Sequence, residues 1–375
     1  MEFNLTQEQK ELKKDVIEFA ENNLNDPEYK ESFSKEMWKK ISEFGLLGIT
    51  IEEKYGGLGE SYLTAAVAFE ALGYACKNNG FIFAVNNHIW VAQNLIYLYG
   101  SELLKDKYLT SMTAGKRIGA IAITEAESGS DALSMTMRAE EDGEDYILNG
   151  SKMFISNAPI AEIFIVFAVT RQNPKEITAF IVEKDFAGFK VGKDIDKMGL
   201  GACPTAEITL ENCRVPKENI LSHMNGATLM TLALEWERIF EFVPHIGVMQ
   251  RVMELCIEHV SNRKQFGQPI SKYQSVSHKI ADMQVSIEMA RLMLYKTAWL
   301  KDNKRSAFKE ASIFKLYVSE NYIKTCRDAL QIFGAYGYTK EYEIERELRD
   351  ALASSIYSGT NEMQKNTIFN LVSYL

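Results

Sequence analysis

The sequence predicts three successive parts: a helical block, an all-β domain, and a second, longer helical block. Three observations carry this reading. Apolar residues recur at helical spacing from the N-terminus to about Gly115. Near Arg117 the pattern changes to short runs of β-branched and aromatic residues broken by Gly, Asn, Asp and Pro, and this holds to about Met224. After Gly226 long helical patterns return and run almost to the end of the chain. The expected boundaries are therefore 1–116, 117–225 and 226–375, and a chain of 375 residues accommodates two to three domains.

In the first block, Thr6 followed by Gln9 is a capping-box signature, and Leu5, Leu12, Val16 and Phe19 then recur at helical spacing. Ser34 is placed to cap a second helix, with Met37, Ile41 and Phe44 on one face and Gly45 at its end. The loop Lys54-Tyr55-Gly56-Gly57-Leu58-Gly59 lacks a following Lys-Ser/Thr, so it is not a Walker-type phosphate loop and reads first as a turn. Thr64 to Tyr99 is apolar on most sides and predicts two buried helices, with His88 among them as a core histidine. In the middle part, Ile163–Val169 and Ile177–Val182 are the clearest strands, Glu207–Leu210 alternates like a half-buried strand, and Asn149-Gly150 reads as a hairpin turn. The last part predicts helices over about Ala227–Asn262, Lys272–Lys301 and Ala307–Phe333. A Gly-rich turn at Phe333–Gly337, a charged helix ending near Asp350 and a turn at Ser358–Asn361 follow.

Composition narrows the function classes. Hydrophobic residues make up 46% of the chain and charged residues 25%, as in ordinary soluble globular proteins. A formal net charge of −9 argues against a general nucleic-acid binder. Five cysteines (76, 203, 213, 256 and 326) show no CxxC spacing, so neither a metal site nor a disulfide framework is expected. No apolar run is long enough to span a bilayer, and the N-terminus has no signal-peptide core, so the expected location is cytoplasmic with no membrane partner.

Four stretches carry the chemistry. Ala122–Asp131 (AITEAESGSD) is a polar turn whose hydroxyls and backbone N–H groups suit a ring edge or a pyrophosphate, though Ser-Gly-Ser-Asp is also ordinary turn composition. Asn149–Asn157 (NGSKMFISN) offers an aromatic face at Phe154 and a hydroxyl at Ser156. Arg263-Lys264-Gln265-Phe266-Gly267, with Gln274 beyond it, offers a guanidinium fork suited to phosphate; the alternative is an exposed helix-end arginine. Leu234-Glu235-Trp236-Glu237-Arg238 opens a helical run with two glutamates that point to nearly opposite sides, so only one of them faces any given site.

Together with Gln331–Gln364 (QIFGAYGYTKEYEIERELRDALASSIYSGTNEMQ) and the YGGLG loop, these strings resemble the acyl-CoA dehydrogenase family. The family's corresponding patterns are TEPxxGSD, NGxKxWITN, RxxFG…Q and QxxGGxGY…RD…IYEGTxEIQ, and they match across nearly the whole chain. The resemblance implies the acyl-CoA dehydrogenase fold: an N-terminal helical domain, a middle β-barrel or sandwich, and a C-terminal four-helix bundle. It implies FAD as the cofactor, held by Ile123, Thr124, Gly129, Ser130, Phe154, Ile155 and Ser156. Arg263, Phe266, Gln274, Gln331, Gly334, Ala335, Thr360 and Glu362 are implied as further FAD contacts, with Arg263 and Gln274 reaching the cofactor of a neighbouring subunit in a homodimer or homotetramer. Ser130, Arg238, Tyr357 and Gly359 are implied to contact substrate.

One departure matters. The family's common catalytic glutamate precedes the Gly-Thr pair, and here that position is Ser358. Some members carry the base instead on the helix directly before the family's arginine. The spacing of Arg238 from Arg263 puts Glu237 at that position. Glu237 is therefore the expected base, with Glu235, or two solvated helix charges, as the rivals. The implied reaction is α,β-dehydrogenation of an acyl thioester, with α-proton removal by Glu237, β-hydride transfer to the flavin, and the Ser358 backbone N–H among the groups that stabilise the enolate-like oxygen. The thioester is expected on CoA or on an acyl or peptidyl carrier protein, since the Leu-Glu-Trp-Glu-Arg start is similar to that of prolyl-carrier oxidases. Electron-transfer flavoprotein or oxygen is the expected acceptor. A catalytically silent flavoprotein or scaffold on the same fold is the alternative.

Overall fold

The computed structural model describes residues 4–29 and 31–373; the outermost residues of the first and last expected domains, 1–3 and 374–375, lie outside the described residues. The first block holds α1 (Gln7–Asn23), α2 (Lys35–Glu43), α3 (Tyr62–Ala75), α4 (Asn79–Asn86), α5 (Asn94–Tyr99) and α6 (Glu102–Thr113). The capping box forms: Thr6 Oγ1 accepts from Gln9 N, and Gln9 Oε1 accepts from Thr6 N, each at 3.1 Å. Ser34 caps α2 through Met37 N. The buried run after Thr64 is α3 followed by a continuous rod in which a π-helical segment, Asn87–Gln93, joins α4 to α5. His88 is a core residue: its Nδ1 accepts from Gly119 N at 2.9 Å and its Nε2 faces Met112 O at 3.1 Å, tying the rod to the first strand. Burial pushes that imidazole down to about 4, so it is neutral.

The glycine loop is a turn. A Cβ on Gly57 would meet Ile51 O at 2.0 Å, so only glycine allows this backbone approach.

The middle part is one seven-stranded sheet of β1 (Gly119–Ala122), β2 (Arg138–Asp142), β3 (Asp145–Ser156), β4 (Ile163–Gln172), β5 (Lys175–Glu183), β6 (Phe189–Val191) and β7 (Thr205–Pro216). β1 and β2 share one edge of β4, both parallel to it, at residues 163–166 and at Val169 respectively; β5 takes the other edge antiparallel. The Asn149-Gly150 turn expectation is corrected. The β2–β3 turn is Gly143-Glu144, and Asn149-Gly150 lies inside β3 at a register shift against β7. Asn149 there accepts from Asn212 N at 2.7 Å, and Gly150 (φ 144°) leaves room for Met137, whose Cα would lie 3.0 Å from an added Cβ.

The last part holds α7 (Gly226–Phe240), α8 (Val243–Asn262), a minimal hairpin of β8 (Lys264–Gln265) and β9 (Gln268–Pro269), α9 (Gln274–Asp302), α10 (Phe308–Phe333), α11 (Ile344–Ala353) and α12 (Asn361–Ser373). The run expected as one helix over 227–262 is two helices, interrupted at Glu241-Phe242. Pro244 sits in the first turn of α8, where its missing N–H and fixed φ favour a helix start. The charged helix begins only at Ile344, because Glu343 takes a left-handed conformation (φ 61°). Helices α7 to α10 pack on one another, and α3 packs on α8. The α3–α8 contact is backbone to backbone: a Cβ on Gly73 would meet Pro244 O, and one on Gly247 would meet Glu70 O, each at 2.0 Å. This close contact fixes the first block against the last. Among the described residues, no helix is long and apolar enough to cross a membrane.

Candidate active site

A cavity of about 450 Å³ opens where the three parts meet. The first block supplies Phe83 and Asn87 from the buried rod. The β-domain supplies Ile123, Thr124, Gly129 and Ser130 after β1, and Phe154, Ile155 and Ser156 at the end of β3. The last block supplies Glu237 and Arg238 from α7, and Tyr357, Ser358, Gly359 and Thr360 from the turn before α12.

The two β-domain motifs lie side by side because Met153 N donates to Thr124 O at 2.8 Å. A buried ion pair underlies them. Lys152 Nζ donates to Ile123 O and to Glu125 Oε1, both at 2.9 Å. Glu125 also accepts from Thr136 N at 2.7 Å and Met137 N at 2.9 Å. Burial acts to raise the Glu125 carboxyl, but these donors and Lys152 outweigh it and hold it below its ordinary range. The β3–β7 register shifts between Lys152 and Ile155, and this bulge lifts Phe154 out of the ladder at φ 58°, leaving it 61% exposed. An aromatic ring held in a left-handed conformation on an open wall is strain of the kind that clusters at ligand sites. The exposed ring, the hydroxyls of Thr124, Ser130 and Ser156, and the apolar Ile121 and Ile123 fit a flavin ring: one flat face to stack on, and donors along its edge.

The two glutamates of α7 separate completely. Glu235 faces away from the cavity and is spent structurally: it accepts from Lys301 Nζ at 3.0 Å and from Ala307 N at 2.6 Å. Glu237 faces the cavity and accepts from Ser358 Oγ at 2.9 Å. Burial raises the Glu237 carboxyl above its ordinary range, while the Ser358 hydroxyl, Arg238 and Lys315 oppose that rise. Arg238 Nε donates to Ser358 O at 3.2 Å, and Gln364 Nε2 donates to the same oxygen at 3.2 Å and to Gly359 O at 2.8 Å. These bonds hold Ser358 and Gly359 at consecutive positive φ values, 58° and 81°. Thr360 Oγ1 caps α12 by accepting from Met363 N. Arg238 thus reaches the cavity wall while its guanidinium braces the turn.

Other expected site residues stay outside this cavity within one chain. Arg263, Gln274, Gln331, Gly334, Ala335 and Glu362 are exposed, and Phe266 is 94% exposed at φ 50°. Arg263 and the Gly334–Tyr338 turn are nevertheless neighbours, since the Arg263 guanidinium lies 5.6 Å from the Tyr336 ring centre. A larger cleft of about 850 Å³ lies elsewhere, between α1, α3, α8 and the 341–344 segment. Six of its fourteen lining residues are glutamates and it contains none of the expected site residues, so size alone would misplace the site.

The sequence reading passed over several groups around the base. Lys315 is buried, donates to Asn361 Oδ1 at 2.7 Å, and is pushed down to about 8, first by burial and then by Arg238. His245 Nε2 and Tyr357 Oη meet at 2.5 Å, and burial pushes that imidazole down to about 3. Asn86 and Asn87 line this region from the rod. The available signal was polar residues inside otherwise apolar runs.

Comparison with known proteins agrees with this geometry. The family models for the acyl-CoA dehydrogenase N-terminal, middle and C-terminal domains match residues 6–116, 120–213 and 224–372 in that order. A probable acyl-CoA dehydrogenase of Bacillus subtilis (strain 168), YngJ, is 38% identical over 376 residues, covering 98% of each chain. The crystal structure of the prolyl acyl carrier protein oxidase AnaB is similar at TM-score 0.97 and 41% identity, covering 98% of this chain and 100% of that one. The structure of PigA with FAD and proline is similar at TM-score 0.96 and 34% identity, covering 100% of this chain and 99% of that one. The chain therefore has the acyl-CoA dehydrogenase fold and belongs to the acyl-CoA dehydrogenase family of FAD-dependent oxidoreductases acting on CH–CH groups.

Proposed function

We propose that the protein dehydrogenates an acyl thioester between its α- and β-carbons, with Glu237 as the base. The observation that carries this reading is the Glu237–Ser358 pair: the carboxylate absent from position 358 is supplied across the same cavity by α7, and the residue that replaced it donates a hydrogen bond to the new base. FAD, when bound, supplies the hydride acceptor.

The chain's own residues do the rest. Glu237 takes the α-proton on a carboxylate oxygen, and its half-buried setting on the cavity wall raises its proton affinity towards that of a useful general base. The Ser358 hydroxyl orients that carboxylate. Arg238 and Gln364, through the Ser358 carbonyl, hold the turn whose Ser358 N–H would meet the thioester oxygen. Thr124, Ser130, Phe154, Ile155 and Ser156 would hold the flavin ring, and Tyr357 and Gly359 the acyl group. Arg263, Phe266 and Gln274, together with Gln331, Gly334, Ala335 and Glu362, would complete the cofactor site between subunits of a homodimer or homotetramer. Their exposure in one chain is compatible with that role.

The acyl group would ride on CoA or on the pantetheine arm of a carrier protein, and the reduced flavin would pass its electrons to an electron-transfer flavoprotein or oxygen. The likeness to a prolyl acyl carrier protein oxidase supports the carrier-bound, aminoacyl form. The test is anaerobic addition of CoA- and carrier-bound acyl and aminoacyl thioesters to the flavin-loaded protein. Bleaching of the flavin absorbance with one of them is the expected result. A flavin that no such thioester reduces would leave a silent flavoprotein.

A further inference from the structure

We propose that a small cavity behind the base is a subsite for a cationic amine carried by the acyl group, with Glu241 and Asn86 as its acceptors. This deepens the thioester reading above and rests on it.

The cavity holds about 10 Å³, room for one water- or ammonium-sized group, and Phe83, Asn86, Glu241 and His245 are among its walls. Glu241 and Asn86 are each only 1% exposed. Neither carboxyl oxygen of Glu241 has a hydrogen-bond partner, and neither does Asn86 Oδ1. The remaining polar atoms are committed. Asn86 Nδ2 donates to Phe240 O at 3.2 Å, and His245 Nε2 is paired with the Tyr357 hydroxyl. Two buried cations near it are engaged elsewhere and do not line it: Lys315 donates to Asn361, and Arg251 pairs with Glu347. The site thus presents three unpaired oxygens, two of Glu241 and one of Asn86. Buried polar groups are normally partnered, and leaving an acceptor unpaired costs about 1–3 kcal/mol, more for a charged one. A ligand with N–H donors and a positive charge answers both deficits at once.

The place is right for the substrate's amine. Glu241 N donates to Glu237 O at 3.1 Å, so the subsite lies one helical turn beyond the base, and Phe83 lines both cavities. An amine close to the α-carbon would therefore point towards Glu241 when the α-hydrogen points at Glu237. The charge state agrees. Burial, and then the neighbouring Glu237, push Glu241 well above its ordinary range, with the Asn86 side chain opposing that rise, so its neutral form is favoured when no cation is near. The other titratable groups around it are the neutral His245, the Tyr357 hydroxyl and the Cys203 thiol, none of which supplies a positive charge. A bound ammonium would let Glu241 ionise and release its proton.

The test compares two pantetheine thioesters that differ only in the amine: that of pyrrolidine-2-carboxylate and that of cyclopentanecarboxylate. Their affinities are measured on the FAD-loaded Glu237→Gln protein, which removes the proposed base so that binding is read apart from turnover. The amine thioester should bind about 10- to 100-fold tighter, the range of a charge-assisted hydrogen bond. Adding Glu241→Gln should bring the ratio close to unity. Calorimetry in two buffers of different ionisation enthalpy should also show release of about one proton for the amine thioester and none for the carbocycle, a readout that needs no second variant. Equal binding, preference for the carbocycle, or a ratio that survives Glu241→Gln would overturn the subsite and leave the dehydrogenation reading standing. Binding of neither thioester would overturn both.

Discussion

The Ser358 hydroxyl donates to Glu237 Oε1 over 2.9 Å, linking residues 121 positions apart across the cavity wall. The bond explains how a site without a glutamate before its Gly-Thr pair keeps an oriented carboxylate.

Glu237→Gln should retain the fold and the flavin but lose flavin reduction. An amide of similar shape cannot accept the α-proton, and general-base catalysis contributes about 10²–10⁴-fold. Anaerobic stopped-flow with a competent thioester is the check, and reduction at the wild-type rate would move the base elsewhere.

Ser358→Ala should shift the pH dependence of the same step. The hydroxyl stabilises the ionised form of Glu237 and so opposes the rise caused by burial. Without it the base holds its proton to higher pH, and the acid limb of the rate profile should move up by roughly one unit, the equivalent of a net hydrogen bond of about 0.5–1.5 kcal/mol. An unmoved acid limb would show that the bond does not act on the base.

Glu235→Ala should damage stability rather than chemistry. It strips the acceptor from both Lys301 and Ala307 N and leaves a buried ammonium whose remaining contact is the Trp236 ring, 4.0 Å away. Breaking one side of a buried pair costs about 3–5 kcal/mol. Denaturant unfolding reads this, and a loss below about 1 kcal/mol would contradict it.

Asp350 should make stability depend on pH. Burial, reinforced by Glu347, raises it from 3.8 to about 6, although Leu200 N and Asn79 donate to it. For an acid raised on folding, the contribution is complete below the ordinary value and is lost as pH rises through the folded one. Wild-type stability should therefore fall by about 2–3 kcal/mol relative to Asp350→Asn as pH rises from about 4 to 7. Parallel unfolding curves for the two proteins across that range would reject the assignment.

Arg263→Ala should weaken flavin retention by about 1.5–3 kcal/mol, the scale of a hydrogen bond to a charged group. Flavin content after desalting, with mass from light scattering, is the measurement. A protein that is monomeric in solution with full flavin would refute the role between subunits.

The sequence by itself determined whatever depends on near neighbours. The Thr6–Gln9 box, the Ser34 cap and the strands at 163–169 and 177–182 are local hydrogen-bonding and periodicity effects, and they form as read. Where distant segments compete, the local reading failed. Asn149-Gly150 has turn composition, yet β7 and Met137 hold it in mid-strand; the helical pattern over 227–262 did not register the break before Pro244. The motif strings named the cavity's walls, and helix geometry placed Glu235 and Glu237 on different faces, but neither could say which face lines the cavity and which makes a structural ion pair. Tertiary structure decided that, by bringing Lys301 and Ala307 to one glutamate and Ser358 to the other. It also exposed the unpaired Glu241, because an acceptor is seen to lack a donor only when every neighbour around it is in place.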